Sequence, residues 1–425
     1  MVAERQTHDI NLHDVNLFLN DEFHDAFRIL RREAPVHWNP GTARANGFWS
    51  LTKYEDILFV SRNPETFISS KGIAGPGERH PAPEDVARAA SRPPGSGDSS
   101  IITMDPPRHV KMRRLVNKGF TPRAVNAMEP KIRTQTREVL DQLGDRKSGD
   151  FVLEVSSQLP LAVICGLMGL PREAWPLMFE LTNAALGAGD PEYQQAQVGE
   201  SGSTNAARET ARAGNAKMYM YFQEVLRQRR AEPQDDLISI LLEAELDGEQ
   251  LTEREILDFC NLLVIAGNET TRNAISGGLV ALQEHPDERA KLQSDMSLID
   301  SAVEEMLRWT SPLHHMTREA TADVEIRGQH IAAGEKVMMW YPSANRDEDV
   351  FADPYRFDLG RAPNDHIAFG IGEHFCLGAG FARKEIRVMF EELFDRYPKI
   401  TLTGSPDRLR SSFINGIKHL PVDYR

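Results

Sequence analysis

Apolar residues recur at helical spacing over most of the chain. Segments 17–33, 150–168 and 216–230 each place apolar side chains three or four residues apart, with charged residues between them. A further helix is predicted from Pro122 to about Leu143, because Thr121 is a suitable N-cap and proline is favoured at the first helical position. The pattern predicts a mostly helical protein.

Strand signals are few and short. β-Branched and aromatic residues cluster in five places, at residues 36–38, 48–51, 324–326, 337–340 and 400–402. Runs of this length suit a small, partly antiparallel sheet. The predicted fold class is therefore mainly α with a smaller β region.

The longest helical pattern begins at a capping box formed by Thr252 and Glu255, and no proline follows before Pro286. A helix of that length spans roughly 50 Å. In its middle lies Ala266-Gly267-Asn268-Glu269-Thr270, where a glycine costs about 1 kcal/mol relative to alanine. Small residues there would admit a flat ligand, and an acid beside an alcohol can deliver protons. The alternative is a glycine for helix packing and an exposed glutamate.

Two stretches show neither the helical nor the strand pattern. Residues 69–100 contain five prolines and five glycines, and residues 187–215 are polar and rich in Gly, Ser, Asn and Gln. They could be interdomain linkers, but the segment before the first is too short to bury a core of its own. We interpret both as lids over an active site within a single domain, residues 1–425.

Charge and composition narrow the function classes. The 425 residues include 49 Lys+Arg and 63 Asp+Glu, a net charge of −14, which argues against nucleic acid as a partner. The sequence contains no apolar run of the roughly 20 residues that a membrane span needs, and the first residues resemble no signal peptide. We therefore expect a cytoplasmic protein. Three cysteines exclude a disulfide scaffold and a Cys-rich zinc site.

The most informative cysteine is Cys376. Glycines at positions 370, 372 and 378 surround it, and a helical pattern starts directly after it. A cysteine near a helix N-terminus is favoured as a thiolate, and a single thiolate suits an axial ligand of haem iron. The alternative is a buried cysteine in a Gly-rich turn. Cys165 and Cys260 lie in apolar helical faces and are predicted to be core residues.

The segment from Phe369 to Gly378, with Ala382, resembles the haem-thiolate signature of the cytochrome P-450 family. Other segments match motifs of the same family: Ala266–Thr270 in the long helix, Glu305-x-x-Arg308, the meander at 343–347 and 351–358, His109–Arg113, and Arg318. The resemblance extends over nearly the whole chain. It implies the cytochrome P-450 fold, with the long helix over a haem, and heme b (iron protoporphyrin IX) as cofactor.

The resemblance also implies roles for individual residues. Cys376 would be the iron ligand, Gly378 would bring a backbone N–H to its sulfur, and Glu269 and Thr270 would be catalytic residues that deliver protons to bound dioxygen. Glu305 and Arg308 would form a structural ion pair. The remaining cofactor-binding residues would be those at the propionates, His109, Arg113, Arg318 and His374, and those beside the haem, Ala266, Gly267 and Phe369.

The implied partners are O2, a hydrophobic small molecule, and a ferredoxin with an NAD(P)H-driven ferredoxin reductase. Two groups of basic residues form a candidate docking patch for the ferredoxin, although an ordinary solvated face would look the same; they are Lys111, Arg114 and Lys118, and Lys384 and Arg387.

The substrate is expected to be hydrophobic. Candidate lining residues, each of which could also be ordinary core, are Val264, Leu313, His314, Phe413 and Ile414. Residues 341–348 and 412–418 resemble a bacterial group that hydroxylates sterol side chains and methyl-branched lipids, which predicts hydroxylation at or near the end of a branched chain. The pair His314-His315 suggests a polar end on the substrate.

Three other functions remain open. A related branch of the family oxidises monoterpenoid alcohols such as terpineol. A haem-binding sensor without turnover is disfavoured by the acid–alcohol pair at Glu269 and Thr270. A non-haem, two-domain protein with a structural cysteine would be colourless when purified.

Overall fold

The computed structural model describes residues 6–43, 45–75, 100–194, 202–246 and 248–425. They fall into two compact units. The first unit is drawn from residues 1–113, 313–355 and 366–376, and the second from residues 114–312, 356–365 and 377–425. In the described part of the chain, none of the helices has the length and apolar character needed to cross a membrane.

Helices dominate the second unit and are fewer in the first. The α-helices are α1 (Val15–Leu19), α2 (Phe23–Glu33), α3 (Tyr54–Arg62), α4 (Arg108–Val116), α5 (Pro122–Asp141), α6 (Gln158–Leu167), α7 (Trp175–Leu186), α8 (Thr204–Ala231), α9 (Leu237–Glu243), α10 (Glu253–Glu284), α11 (Pro286–Ser294), α12 (Ile299–Thr310), α13 (Tyr341–Ala344) and α14 (Ala379–Arg396). Short 3-10 helices span Thr7–Asp9, Ile101–Thr103, Asn117–Phe120, Arg172–Ala174, Pro191–Tyr193, Met296–Leu298 and Gly372–His374, and a π-helix spans Val152–Ser156.

The strands are short. They are β1 (Val36–Asn39), β2 (Phe48–Leu51), β3 (Phe67–Ile68), β4 (Ser148–Asp150), β5 (Glu245–Leu246), β6 (Glu249–Gln250), β7 (His315–Ala320), β8 (Val324–Ile326), β9 (Gln329–Ile331), β10 (Lys336–Trp340), β11 (Thr401–Leu402), β12 (Asp407–Arg408), β13 (Ile417–His419) and β14 (Pro421–Asp423).

The first unit is built on a five-stranded sheet in the order β1-β2-β10-β7-β3. Only β2 and β10 pair in parallel; the other neighbours are antiparallel. The residues of β10 are all buried, and α2 packs an apolar face against this strand. Phe27 of α2 meets Trp340 of β10 with ring centroids 5.2 Å apart. Burial of such large aromatic side chains is the main stabilising term of this core.

The second unit is organised around α10. Its 32 residues begin at the capping box in which Thr252 and Glu255 satisfy each other's backbone N–H groups. The helix is buried along most of its length and packs against α6, α7 and α12. Three small sheets accompany it: β11-β14-β4, β12-β13 and β5-β6.

The predicted fold class and the long helix are confirmed, and three predicted segments differ. Asp21, with a φ of 61°, separates α1 from α2 within the single helix predicted at 17–33. Asp150 ends β4 and accepts from the N–H of Val152 at 2.9 Å, so the predicted helix 150–168 becomes a strand end, a π-helix and α6. Helix α8 starts earlier than expected, because Ser203 caps it by accepting from the N–H of Ala206.

The predicted lids lie only partly within the described residues. Residues 76–99 and 195–201 lie outside them. In the second lid, residues 204–215 are helical rather than irregular, and Pro191–Tyr193 form a 3-10 turn. The lid function of both segments stays a prediction.

Candidate functional site

The loop before Cys376 depends on two glycines with left-handed backbone. Gly370 has a φ of 67° and Gly372 a φ of 76°. A Cβ on Gly372 would collide with the carbonyl oxygen of Ser61, so only glycine fits there. The loop is closed by a hydrogen bond from the N–H of Cys376 to the carbonyl oxygen of Phe369, at 2.9 Å. The cysteine is thereby fixed by the backbone before its side chain is considered.

Cys376 differs from the other two cysteines. Cys165 and Cys260 are fully buried, as predicted, and burial raises the pKa of both thiols, that of Cys165 to about 12. Cys376 is only partly buried and forms no disulfide. Since a reactive or metal-binding sulfur must be accessible, Cys376 is the cysteine suited to ligation.

Four basic side chains gather in the first unit, close to this loop. The rings of His109 and His374 are 4.0 Å apart between centroids and 32° from parallel. Burial, and then the charge of Arg113 beside it, lowers the pKa of His109 to about 4. Burial, followed by the charge of Arg318, lowers the pKa of His374 to about 2. Burial also lowers the pKa of both arginines. Positive charge is unfavourable here without an anion.

The hydrogen bonds of this cluster leave capacity for an anionic ligand. Among the described residues, His109 Nδ1 is buried and has no hydrogen-bond partner, and Glu373 Oε2 is 4.0 Å away. Arg318 is 7% exposed and donates to the carbonyl oxygen of Thr317 at 2.8 Å. Buried cations and an unused histidine nitrogen fit carboxylates such as the two propionates of haem. The residues present therefore fit the group that the sequence predicts.

Arg113 and His374 connect this cluster to its surroundings. Arg113 donates from Nη2 to the carbonyl oxygen of Phe375, the residue before Cys376. His374 Nε2 lies 3.2 Å from Ser69 Oγ. The first unit thus brings together the predicted propionate residues, the Cys376 loop and Phe369.

The second unit carries the predicted acid–alcohol pair on α10. Thr270 is half-buried, and its Oγ1 donates to the carbonyl oxygen of Ala266 at 2.7 Å. Ala266 is exposed and Gly267 half-buried, so this stretch of the helix surface is open. Glu269 is 1% exposed, which excludes the alternative of an exposed glutamate. Its Oε1 accepts from Arg272, and from Asn273 Nδ2 at 3.3 Å.

Glu305 and Arg308 form a fully buried pair on α12 of the second unit. Arg308 donates through Nε and Nη2 to the two carboxylate oxygens at 2.7 and 2.8 Å. Arg361 Nε adds a contact to Glu305 at 3.2 Å, and Asn364 Nδ2 another at 3.2 Å. A buried carboxylate held by two guanidinium groups is a rigid structural element. Arg361 could not be identified from the sequence, because its contact with Glu305 spans 56 residues.

Three of the five candidate substrate-lining residues do not reach open space. Val264 is 0% exposed, and His314 and Ile414 are each 1% exposed. The His314 ring lies 4.8 Å from the rings of both Phe18 and Phe23, in the core of the first unit. Their burial gives no support to a substrate-lining role, which stays a prediction, as does a polar substrate end at His314. Leu313 and Phe413 are partly exposed.

Two of the five basic residues of the candidate docking patch are paired with acidic neighbours. Lys384 Nζ lies 2.6 Å from Glu129 Oε2, and Arg387 Nε lies 2.9 Å from Glu391 Oε1, both within the second unit. Each charge is largely neutralised by its neighbour. Arg114 and Lys118 are exposed and are the better candidates for a partner's acidic surface.

Comparison with known proteins identifies relatives along nearly the whole chain. The family model described as cytochrome P450 matches residues 202–417. A methyl-branched lipid omega-hydroxylase of Mycobacterium bovis is 42% identical over 98% of this chain and 95% of its own length. A steroid C26-monooxygenase of the same organism is 36% identical over 94% of this chain and 88% of its own. The solved structure of a Mycobacterium marinum cytochrome P450 with pseudoionone is similar with a TM-score of 0.86, at 35% identity and 96% coverage of each chain.

Proposed function

The chain belongs to the cytochrome P450 family, and we propose that it hydroxylates a methyl-branched lipid or the side chain of a sterol. As a member of that family it is an oxidoreductase with a haem-iron cofactor that uses O2, a hydrophobic substrate and redox partners. The proposed reaction inserts one oxygen atom of O2 into an unactivated C–H bond. The other oxygen atom leaves as water after two electrons and two protons have been supplied.

Two relatives support this substrate class. One is named as a methyl-branched lipid omega-hydroxylase and the other as a steroid C26-monooxygenase, at 42% and 36% identity. The omega position is the end of an aliphatic chain. A second candidate is hydroxylation of a monoterpenoid, which the Mycobacterium marinum relative in complex with pseudoionone favours.

We assign the cofactor as heme b, bound through the sulfur of Cys376, with the N–H of Gly378 tuning that sulfur. Ala266, Gly267 and Phe369 would contact the ring. When bound, haem supplies dioxygen binding and cleavage of the O–O bond. The single observation that supports this assignment is the basic cluster of His109 and Arg318, which are buried, with Arg113 and His374, which are half-buried; together they fit two carboxylates.

The chain's own residues would manage the protons. We assign proton supply to Glu269 and Thr270 on α10. Thr270 already uses its hydroxyl hydrogen in a bond to Ala266, and rotation of that hydroxyl would free the hydrogen for transfer. Glu269 is screened from bulk water by its burial, so protons would reach it only by a defined route.

Electrons would come from a ferredoxin and an NAD(P)H-driven reductase in the cytoplasm. Arg114 and Lys118 are exposed and would attract an acidic ferredoxin. These basic residues lie on a chain of net charge −14, so a local patch is needed to overcome the overall repulsion.

The deciding experiment is spectroscopic. The protein is purified after expression with a haem precursor, reduced, and treated with carbon monoxide; a Soret band that moves to the red reports thiolate ligation. Shifts of spin state are then recorded with methyl-branched fatty acids, steroids and monoterpenoids, and products are identified by mass spectrometry. We expect the first two classes to bind and to be hydroxylated at the chain end. A colourless protein would overturn the haem assignment, and turnover of monoterpenoids alone would favour the second candidate.

The ligand residue is tested by C376S, with C165S as the matched control. The red-shifted carbon monoxide band is expected to disappear only in C376S. An unchanged band in that variant would remove Cys376 as the ligand.

A further inference from the structure

A buried ion pair lies at the acid to which we assign proton supply. Arg272 follows Glu269 by three residues on α10 and donates from Nη2 to Glu269 Oε1. Both side chains are 1% exposed. A carboxylate buried this deeply is stable in its ionised form only with a cation or several donors around it. Arg272 supplies that cation.

The arginine is itself held by α7. Its Nη1 donates to Asn183 Oδ1 at 3.0 Å, and its guanidinium lies 5.8 Å from the centre of the Phe179 ring. Neither contact involves Glu269. The position of the guanidinium is therefore fixed by a neighbouring helix as well as by the acid.

The two oxygens of Glu269 have different surroundings. Oε1 accepts from Arg272 and also from Asn273 Nδ2 at 3.3 Å. The Asn273 amide is anchored in turn, since its Oδ1 accepts from the N–H of Ile417 at 3.1 Å. Oε2 is buried and has no hydrogen-bond partner within the described residues. Only Oε2 can exchange a proton while Oε1 stays engaged.

We propose that Arg272 is a positioning residue that keeps Glu269 ionised between turnovers and reserves Oε2 for proton exchange. The proposal rests on the proposed function, in which Glu269 supplies protons to the reaction. Arg272 acts only through Glu269, and Asn183 and Asn273 hold the pair in place. Glu269 takes up a proton at Oε2, gives it up during turnover, and returns to the ionised state that Arg272 favours.

A second arginine–carboxylate pair on α10 provides a matched control. Arg254 Nε lies 2.9 Å from Asp258 Oδ2, four residues along the same helix, but the Arg254 side chain is 62% exposed. Its removal changes the charge of the helix by the same amount and likewise takes a cation from a buried acid, since Asp258 is 6% exposed, but from one to which no proton transfer is assigned.

The experiment measures product formed per NADH consumed by the haem-loaded enzyme in R272M, R272K and R254M. We expect R272M to lose about tenfold in this ratio, because general acid–base catalysis contributes at least that much. R272K keeps a cation but cannot hold both Glu269 and Asn183, so its loss should be smaller, and R254M should match the wild type.

Infrared difference spectra give a readout independent of turnover. The difference R272M minus wild type should show an added band of a neutral carboxyl at neutral pH, and the difference E269Q/R272M minus E269Q should not. The buried Glu385, whose pKa burial raises to about 8, contributes equally to all four proteins and cancels in both differences. Absence of the added band from R272M would contradict the proposal.

A double-mutant cycle tests whether Arg272 acts through Glu269. The effect of R272M, or of R272K if R272M does not fold, should vanish in the E269Q background. An equal effect in both backgrounds would overturn the positioning role, as would wild-type coupling in both Arg272 variants. The carbon monoxide band distinguishes a failure of the Arg272 proposal from a failure of the proposed function. It tests haem ligation and is unaffected by the state of Glu269.

Discussion

At the scale of single residues, the proposed haem site depends on charges buried in the first unit. Arg318 is almost fully buried, and burial lowers its pKa, so its charge is costly unless an anion lies beside it. An anion bound beside these basic side chains would reduce the free-energy cost of burying their positive charge. The same interaction would contribute to the affinity for that anion.

Substitution of Arg318 by glutamine is expected to weaken haem binding by roughly 10- to 100-fold, since a hydrogen bond to a charged group contributes about 1.5–3 kcal/mol. Haem occupancy is measured as the ratio of Soret to protein absorbance during transfer of haem to an acceptor protein. Arg62→Gln, at an exposed arginine that ends α3, is the control and should retain haem like the wild type. Equal haem loss from both variants would contradict a propionate role for Arg318.

Gly372 carries a second prediction at this scale. Its φ of 76° and the close Ser61 carbonyl oxygen leave no room for a Cβ. Gly372→Ala should lower the free energy of unfolding by about 2 kcal/mol or more, since the left-handed backbone alone costs about 1–3 kcal/mol. Gly119→Ala is the control, because its Cβ would meet only a Leu237 methyl group at 3.5 Å. Equal thermal stability of the two variants would show that the loop relaxes.

At the scale of elements, the segment after α7 is tied to strand β13 by charges. Lys418 Nζ lies 3.3 Å from Asp190 and 2.8 Å from Glu192, and Asp407 Oδ2 is 3.5 Å from the same nitrogen. The His419 ring bridges two carboxylates, with Nδ1 2.6 Å from Asp150 Oδ2 and Nε2 2.8 Å from Glu192 Oε1. Both ring nitrogens must carry hydrogen to donate to both acids, so the imidazolium is the form that closes this contact.

This contact predicts a pH dependence. Although burial opposes it, the bonds to Asp150 and Glu192 raise the pKa of His419 above 6.5. A raised pKa means that the stabilisation is complete below 6.5 and is lost as pH rises through the folded-state value. Amide hydrogen exchange in residues 187–194 should accelerate above that pH after correction for the intrinsic rate. H419Q should show fast exchange at every pH, and a corrected rate that depends on pH equally in both proteins would contradict the prediction.

Elements marked by local signals could be predicted from the sequence, whereas contacts between residues far apart in the chain could not. The bounds of α10 follow from the capping box at Thr252 and from the absence of proline, both of which act within a few residues. The burial of His314 against Phe18 depends on residues almost 300 positions apart, which no periodicity reveals. The contact between Glu269 and Arg272 could have been predicted, because residues three apart on a helix are neighbours and this spacing is a local signal.

For the site, the glycines before Cys376 were a useful signal, because Gly370 and Gly372 have left-handed backbone, which glycine adopts without strain. The basic residues near Cys376 come from α4, β7 and the loop itself. Because they are far apart in the sequence, only the family resemblance predicted that they lie together. The substrate-lining residues were the weakest predictions, since Val264 and Ile414 have the apolar character of both core and pocket residues.

If the electron donor is an acidic ferredoxin, as we propose, two electrostatic terms of opposite sign would act on it at the scale of the whole molecule. The net charge of −14 would repel it at long range, whereas Arg114 and Lys118 would attract it at contact. The Debye length is about 10 Å at 0.1 M salt, so added salt weakens both terms. The sign of the salt dependence of the electron-transfer rate shows which of the two terms dominates.

We expect the local attraction to dominate, so that electron transfer from an acidic ferredoxin slows as salt rises from about 0.01 to 0.5 M. Lys118→Glu should be slower than the wild type at low salt and should lose or reverse the salt dependence, because the repulsion by the whole molecule then remains. Lys399→Glu makes the same change in net charge at another exposed lysine and should keep the wild-type slope. The measurement is the stopped-flow rate of haem reduction under carbon monoxide. If Lys118→Glu and Lys399→Glu respond alike, net charge alone governs the encounter, and the ferredoxin docks away from Lys118.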